Sequence, residues 1–143
     1  MSIKFKPHLK DLSRIRVSEG RDMDEGLRLD RNEKVDVWPP GFMADIFQHK
    51  PSWFFSVYPD MTELYGKLSK FHNIDPTELL ITAGIDGGLK SIYEVLMEPG
   101  DLGGVVSPTY AMYRVYAGIF QIELEDICYT EDFRFGYSQF YKF

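Results

Sequence analysis

The residues best suited to chemistry lie where an apolar run meets a group of glycines near the middle of the chain. Leu79–Thr82 is short, apolar and partly β-branched, which predicts a buried strand. A strand that turns through glycine into a helix points the backbone N–H groups of Gly84, Ile85 and Asp86 at one spot, beside the positive end of the helix dipole. Such a spot suits a phosphate or a carboxylate. The glycines could equally serve turn geometry alone.

The helix predicted after this turn has a defined beginning, face and end. Asp86 is the predicted N-cap. Lys90 and Glu94 lie one turn apart and are predicted to pair on the outer face. Glu98-Pro99-Gly100-Asp101 is predicted to end the helix, because proline and glycine both break helical structure. The apolar residues at helical spacing are Leu89, Ile92, Tyr93 and Leu96.

Two further strands are predicted, separated by a second helix. The strands are Gly103–Ser107 and Ile122–Cys128, and the helix begins after Pro108-Thr109-Tyr110. The order strand, helix, strand, helix, strand indicates an α/β fold with parallel strands and right-handed crossovers. Ligands of such sheets bind at the carboxyl ends of strands. If Tyr110 and the glycine turn share one edge, backbone donors would hold a phosphate while the ring stacks on a flat heterocycle.

The chain is predicted to comprise an N-terminal arm and extended segment over residues 1–40 and an α/β domain over residues 41–143. Met1–Asp24 is basic and interleaved with apolar residues, which predicts a surface-lying arm or short helix. Leu27–Asp30 alternates in polarity and predicts a short extended piece.

Between residues 41 and 79 the pattern predicts two helices and an aromatic connection. The apolar residues of the first helix are Phe42, Met43, Ile46 and Phe47, and this helix is predicted to end near Lys50-Pro51. Ser52–Pro59 is predicted to be extended. Asp60 is a candidate N-cap for the second helix, with Glu63 at capping-box spacing. Asp75-Pro76 is typical of a cap followed by the first helical position.

Composition narrows the classes of partner. The chain has 143 residues, 44% hydrophobic and 15% aromatic, which is enough for one folded core. A net charge of −6 argues against nucleic acid as a partner. The single cysteine, Cys128, excludes an intrachain disulfide and is consistent with a reducing, cytoplasmic setting. No apolar run reaches transmembrane length, and the three scattered histidines predict no metal site.

Five short motifs follow one another along the chain: Leu29-Asp30-Arg31-Asn32-Glu33, Tyr58-Pro59-Asp60, Ala83-Gly84-Ile85-Asp86-Gly87-Gly88, Glu98-Pro99-Gly100-Asp101 and Ser107-Pro108-Thr109-Tyr110. In this order they resemble the N-terminal portion of pyridoxal-phosphate-dependent aminotransferases of fold type I (class I/II), most closely the histidinol-phosphate aminotransferase group. The resemblance covers the chain from Leu27 to Glu123. It implies that residues 41–143 are an incomplete part of a three-layer α/β/α large domain.

The resemblance implies pyridoxal 5'-phosphate as cofactor and assigns residues to it. The backbone of the glycine loop, here Gly84, Ile85 and Asp86, would bind the cofactor phosphate. Tyr110 would stack on the pyridine ring, although a lone tyrosine is more often a core or helix-start residue. The family usually has a small residue where Ile85 stands and a glutamate or alanine where Gly87 stands, so the Ile85 side chain would have to point away from the phosphate.

Two further residues receive roles from the resemblance. Tyr58 would reach the cofactor phosphate of the neighbouring subunit in a homodimer, or it could simply pack under Trp53-Phe54-Phe55. Asn32 would lie near the substrate, or it could be only a turn residue. The substrates implied are an amino acid, or an amino-phosphate compound, and a 2-oxo acid.

The family's chemistry requires a lysine that forms a Schiff base with the cofactor. In the family this lysine follows a serine-x-serine sequence, and none of the lysines here, Lys90 and Lys142 included, has that context. We therefore expect an N-terminal fragment that is inactive alone, and whose Leu79–Thr82 strand lacks its sheet neighbours. The alternatives are a non-catalytic phosphate- or nucleotide-binding α/β module, or an interaction domain that uses the aromatic segment Trp53–Tyr58.

Overall fold

The computed structural model describes residues 4, 6–13, 32–34 and 36–142. The chain divides into two compact units: Val17–Leu79, here called the aromatic unit, and Met1–Arg16 together with Leu80–Phe143, here called the sheet unit. Much of the arm predicted at Met1–Asp24 lies outside the described residues, as does the extended piece predicted at Leu27–Asp30.

The described part of the aromatic unit contains two α-helices, α1 (Phe42–Phe47) and α2 (Thr62–His72). Both lie close to their predicted positions, although α1 ends at Phe47, before the predicted end near Lys50-Pro51. The extended structure predicted for Ser52–Pro59 is wrong in its first half, since Ser52–Phe55 forms a 3₁₀ turn. The reason is local. Bonds from the Phe54 N–H to the Pro51 carbonyl (3.0 Å) and from the Ser56 N–H to the Trp53 carbonyl (2.9 Å) satisfy the backbone without a partner strand.

Two predicted caps form in different ways. Asp75 makes the complete capping box: its carboxylate accepts the Thr77 N–H at 2.9 Å, and Glu78 accepts the Asp75 N–H at 2.9 Å. Asp60 forms only one of the two hydrogen bonds of a capping box. Its carboxylate accepts the Thr62 N–H at 2.9 Å, but Met61 is the N-cap residue of α2. The carboxylate of the predicted capping-box partner, Glu63, instead pairs with Lys67 at 2.6 Å.

The sheet unit has the order α3 (Gly84–Leu96), β1 (Leu102–Ser107), α4 (Met112–Phe120), β2 (Glu123–Cys128). β1 and β2 pair in parallel, with Leu102 opposite Glu123 and Ser107 opposite Cys128. The predicted α/β class and parallel pairing are therefore confirmed for these elements. As predicted, α3 ends before the proline, and Lys90 pairs with Glu94 at 3.8 Å.

The strand predicted at Leu79–Thr82 is wrong for this structure. The sheet of the described residues has two strands, β1 and β2, and this segment is in neither. Leu79 has extended dihedral angles (φ −106°, ψ 136°). A strand needs a ladder of hydrogen bonds to a neighbour, and no neighbouring strand is available here among the described residues.

The core of the sheet unit lies between α3, α4 and β2. Tyr93 of α3 packs against Ala117 and Ile122. Its hydroxyl donates to the Tyr113 carbonyl at 3.1 Å, and its ring stacks on Phe120 with centroids 6.3 Å apart. Two residues of the predicted apolar stripe of α3 are buried, Leu89 and Tyr93, and two are exposed, Ile92 and Leu96.

The N-terminal 3₁₀ turn Pro7–Leu9 lies against α4 in the same unit. The His8 Nε2 lies 3.3 Å from the Ile119 carbonyl. The Leu12 side chain approaches Gly118 so closely that a Cβ there would lie 2.7 Å from the Leu12 Cδ1. This described part of the basic arm therefore packs against α4 of the same unit.

Candidate functional site

The loop that leads into α3 is a compact turn held by its own backbone. The Gly84 N–H donates to the Thr82 carbonyl at 2.8 Å. Ala83, between them, has φ −72° and ψ 75°, the geometry of an inverse γ-turn. The Thr82 hydroxyl donates to the Gly84 carbonyl at 2.8 Å. Gly84 itself has φ +69°, which a residue with a side chain adopts only with strain.

The start of α3 lies against Thr82, and this explains one of the two glycines that follow Asp86. A Cβ at Gly87 would lie 3.0 Å from the Thr82 Cβ, closer than ordinary contact, whereas one at Gly88 would lie 3.6 Å from the Thr82 Oγ1. A side chain at Gly87 would therefore force the Thr82 side chain to move by a few tenths of an ångström, whereas one at Gly88 would fit without movement.

The predicted N-cap at Asp86 is wrong. Helix α3 begins at Gly84 with Ala83 as N-cap, so Asp86 is already inside its first turn. The γ-turn starts the helix three residues earlier than an Asp86 cap would, at Gly84 instead of Gly87. This placement keeps Asp86 at the positive end of the helix dipole, where a negative side chain is stabilised.

The backbone donors at this helix start differ from the predicted set. Gly84 already donates to Thr82. The first N–H groups of any α-helix have no carbonyl within the helix to bond to, so α3 presents the N–H groups of Ile85 and Asp86 at its N-terminus. The Ile85 side chain is exposed. Donors of this kind suit a phosphate oxygen.

The structure brings together two of the predicted site residues, Asp86 and Tyr110. The Tyr110 hydroxyl donates to the Asp86 Oδ1 at 2.8 Å, across 24 positions of sequence. This bond joins the start of α3 to the turn that follows β1, where the Ser107–Pro108 peptide is cis. Tyr110 is 42% exposed and is therefore not a core residue.

The sequence pattern predicts the glycine turn and Tyr110 at one edge of the sheet, but it does not predict the side-chain bond between Asp86 and Tyr110. Spacing along the chain carries no signal for such a contact. The only available hint was that both residues follow segments read as strands of one parallel sheet.

The other predicted site residues, Asn32 and Tyr58, belong to the aromatic unit. Asn32 is exposed, outside any helix or strand. Tyr58 is 100% exposed, so it does not pack under the Trp53-Phe54-Phe55 segment as the alternative interpretation supposed.

Among the described residues, no group of three or more histidine, cysteine, aspartate or glutamate side chains is placed to hold a metal ion. Within the same part of the chain, no helix combines the length and apolar character needed to cross a membrane.

Comparison with curated proteins supports the resemblance seen in the motifs. Three similar proteins are each named histidinol-phosphate aminotransferase. One from Sulfurisphaera tokodaii is 25% identical over 85% of this chain and 34% of its own length. One from Pyrococcus furiosus is 31% identical over 73% of this chain and 31% of its own length. One from Christiangramia forsetii is 33% identical over 59% of this chain and 25% of its own length.

The recognised similarity to histidinol-phosphate aminotransferases is therefore confirmed. The chain spans about a third of the length of the Sulfurisphaera tokodaii and Pyrococcus furiosus relatives, 34% and 31%. No family model matches the chain.

Proposed function

We propose that this chain is part of a pyridoxal-phosphate-dependent aminotransferase, a transferase similar to the histidinol-phosphate aminotransferases. In this proposal the sheet unit supplies the place where the cofactor phosphate and ring are held. The similarity to the named relatives supports the class of protein. The observation that carries the proposed site is the contact that puts Tyr110 beside the N-terminus of α3.

The donor set at α3 fits a phosphate group. The N–H groups of Ile85 and Asp86 would donate to its oxygens, with the helix dipole adding attraction. Gly84 would contribute conformation, since its own N–H is bonded to Thr82. The phosphate site is thus proposed to use two backbone donors of the three expected.

Tyr110 is proposed to lie against the face of the pyridine ring. Its partial exposure leaves ring surface available for stacking, while its hydroxyl is anchored at Asp86. When bound, pyridoxal 5'-phosphate supplies the electron sink on which amino-group transfer depends. Tyr110 and the helix start would orient that group and exclude water from one of its faces.

The roles of Tyr58 and Asn32 are proposed from the resemblance. Tyr58 would bind the cofactor phosphate of a second subunit in a homodimer, and its complete exposure is consistent with a contact made outside its own chain. Asn32 would lie near the substrate, and its exposed position is compatible with that role. The proposed substrates are an amino acid or amino-phosphate compound and a 2-oxo acid, in a cytoplasmic setting.

The proposed domain arrangement is an N-terminal arm and extended segment over 1–40 and part of a three-layer large domain over 41–143. No lysine of these 143 residues follows a serine-x-serine sequence. We therefore propose that this chain binds the cofactor without forming the Schiff base and transfers no amino group by itself.

The test is a titration of the chain with pyridoxal 5'-phosphate, in which the quenching of protein fluorescence reports binding. Replacing Tyr110→Ala should weaken binding by about fivefold to tenfold, because an aromatic stacking contact contributes on the order of 1 kcal/mol. Tyr137→Ala is the matched control, since Tyr137 is an exposed tyrosine of the same unit. Equal affinity of the wild type and Tyr110→Ala would contradict the proposed site.

Two further measurements separate the alternatives. Borohydride reduction should leave the cofactor unattached, and a lysine adduct would contradict the proposed inactivity. A general phosphate- or nucleotide-binding module would bind inorganic phosphate or a nucleotide as well as it binds pyridoxal 5'-phosphate.

A second candidate function is an interaction domain, and the exposure of the aromatic unit favours it. Trp53, Phe55 and Tyr58 all present more than half of their surface. Such a domain would self-associate without any ligand. Sedimentation of the chain with and without the cofactor tests this candidate. Self-association without the cofactor would support an interaction domain, and a monomer without the cofactor would contradict it.

A further inference from the structure

The Asp86 carboxylate has a partner that its position in the helix does not require. An acidic residue in the first turn of a helix is stabilised by the dipole and by neighbouring N–H groups. Here the Oδ1 of Asp86 instead accepts the hydroxyl of Tyr110 at 2.8 Å, from a segment 24 residues away. The Asp86 side chain is half-buried and Tyr110 is partly exposed.

Resting on the function proposed above, we infer that Asp86 is a positioning residue: its carboxylate holds the Tyr110 ring in the stacking position and is itself held away from the phosphate site. The backbone and the side chain of Asp86 then have different roles. Its N–H donates to the phosphate, and its carboxylate accepts a hydrogen bond from the Tyr110 hydroxyl.

The effect on Tyr110 is preorganisation. A partly exposed tyrosine rotates about two side-chain bonds, and stacking on a ligand must immobilise both. A hydrogen bond at the hydroxyl fixes the far end of the ring before the ligand arrives, so that less conformational freedom is lost on binding. A bond to a carboxylate is stronger than one between neutral groups.

The effect on the phosphate site is electrostatic. An unattached carboxylate in the first turn of α3 would compete for the same N–H groups that the phosphate needs and would repel its charge. The bond to Tyr110 gives the Asp86 carboxylate another donor. We therefore expect the Asp86 carboxylate to compete less with a phosphate for these N–H groups.

The experiment measures the affinity of the full 143-residue chain for two probes, pyridoxal 5'-phosphate and inorganic phosphate. The variants are Asp86→Ala, Asp86→Asn, Tyr110→Phe and the double change Asp86→Ala with Tyr110→Phe. Glu94→Ala is the control, because Glu94 lies on the exposed side of the same helix.

Asp86→Ala and Tyr110→Phe should each weaken the binding of pyridoxal 5'-phosphate by about fivefold, the equivalent of one lost hydrogen bond. The double variant should be no weaker than either one, since both changes break the same bond. Asp86→Asn keeps an acceptor oxygen and should restore most of the affinity. Inorganic phosphate, which makes no ring contact, should bind Asp86→Ala as well as the wild type or more tightly.

A spectroscopic readout follows the bond without any ligand. With 3-fluorotyrosine placed at position 110, the fluorine resonance should move toward that of an exposed fluorotyrosine in Asp86→Ala. It should stay in place in Asp86→Asn and in Glu94→Ala.

The outcomes are distinct. If Asp86→Ala binds pyridoxal 5'-phosphate like the wild type, or if the two losses multiply in the double variant, the positioning role is wrong while the proposed function stands. If the wild type does not bind the cofactor, the proposed function fails and this inference fails with it. Should Asp86→Ala not fold, unchanged affinity in Tyr110→Phe would overturn the inference alone.

Discussion

The two compact units of this chain bury very different amounts of apolar surface. The sheet unit contains all of the buried apolar side chains among the described residues: Leu89, Tyr93, Val105, Met112, Ala117, Ile122 and Ile127. In the described part of the aromatic unit, Ser69 is the one buried residue. In its described part, the aromatic unit therefore has the smaller core.

The difference follows from how contacts are made. Aromatic residues of the aromatic unit meet mostly in local pairs, such as Trp38 stacked on Phe42 with ring centroids 4.7 Å apart and Phe54 edge-on to Phe55 at 4.9 Å. In the sheet unit, Tyr93 of α3 packs against Ala117 of α4 and Ile122 before β2. Long-range packing encloses side chains from several directions, whereas local pairs leave an outer face in water.

The largest expected effect contrasts one residue from each unit. Ile127 is 2% exposed and Phe55 is 77% exposed. Ile127→Ala should lower the free energy of unfolding by about 2–4 kcal/mol, because it leaves a cavity in a packed core. Phe55→Ala should cost less than about 1 kcal/mol, since little surface is removed from water. Urea unfolding monitored by circular dichroism measures both values.

The control for this contrast is Val95→Ala, an exposed aliphatic residue of α3. A loss for Phe55→Ala as large as that for Ile127→Ala would break the comparison. It would mean that the aromatic unit is covered in solution.

An intermediate effect contrasts two glycines inside helices. A Cβ at Gly66 of α2 would meet nothing within 4 Å, whereas one at Gly87 of α3 would meet the Thr82 Cβ at 3.0 Å. Gly66→Ala should stabilise the protein by about 0.5–1 kcal/mol through helix propensity. Gly87→Ala should lose that gain to the contact and should displace the loop that holds Gly84.

Thermal unfolding compares the two variants, with Gly88→Ala as a second reference because its Cβ would make only ordinary contact at 3.6 Å from the Thr82 Oγ1. Gly88→Ala is expected to be the more stable of the two α3 variants. Equal stabilities for Gly87→Ala and Gly88→Ala would show that the loop yields without cost.

The smallest expected effect is the response of each unit to pH. Burial raises the pKa of Tyr93, and the neighbouring Tyr113 adds to the increase. The folded state then holds this proton more tightly than the unfolded state does. The stability that this provides to the sheet unit is present below the ordinary tyrosine pKa of about 10 and is lost as the pH rises above it. Tyr93→Phe should flatten the alkaline limb of the stability profile.

The aromatic unit should respond at the acid end. Hydrogen bonds from Thr62 lower the pKa of Asp60, and hydrogen bonds from Thr77 lower that of Asp75. Because the pKa is lower in the folded state, each carboxylate stabilises the fold at pH values above the unfolded pKa of about 4. This stabilisation is lost as the pH falls below that value. Both carboxylates are exposed, so the effect is small. Amide exchange measured at acid and at alkaline pH would show which unit opens first. We expect the aromatic unit to open first at acid pH and the sheet unit at alkaline pH, and the reverse order would contradict this expectation.

Much of the local structure could be predicted because its causes lie within one turn of chain. Asp75 and Glu78 form their capping box, Lys90 pairs with Glu94, and α3 stops before Pro99. Each of these depends on residues three or four positions apart or on a residue that cannot continue a helix. The prediction of an N-cap at Asp86 failed because the γ-turn at Ala83, also a local feature, started the helix first.

The candidate site was only partly predictable. Its residue types, a glycine turn followed later by Tyr110, were visible in the motifs. The bond from Tyr110 to Asp86 and the use of the Gly84 N–H by Thr82 were not visible. The first depends on how β1 and α3 are brought together. The second depends on dihedral angles that glycine leaves open.

The sequence by itself determined the order of helices and strands from α3 to β2, the end of α3 before Pro99, and the similarity to histidinol-phosphate aminotransferases. Local propensity and capping set those features, and both act over a few residues. Only the tertiary structure decided that Leu79–Thr82 is not a strand, that Ile92 stays exposed and that Asp86 binds Tyr110. Strand pairing, burial and side-chain contact each need a partner far along the chain, and local pattern does not specify where that partner lies.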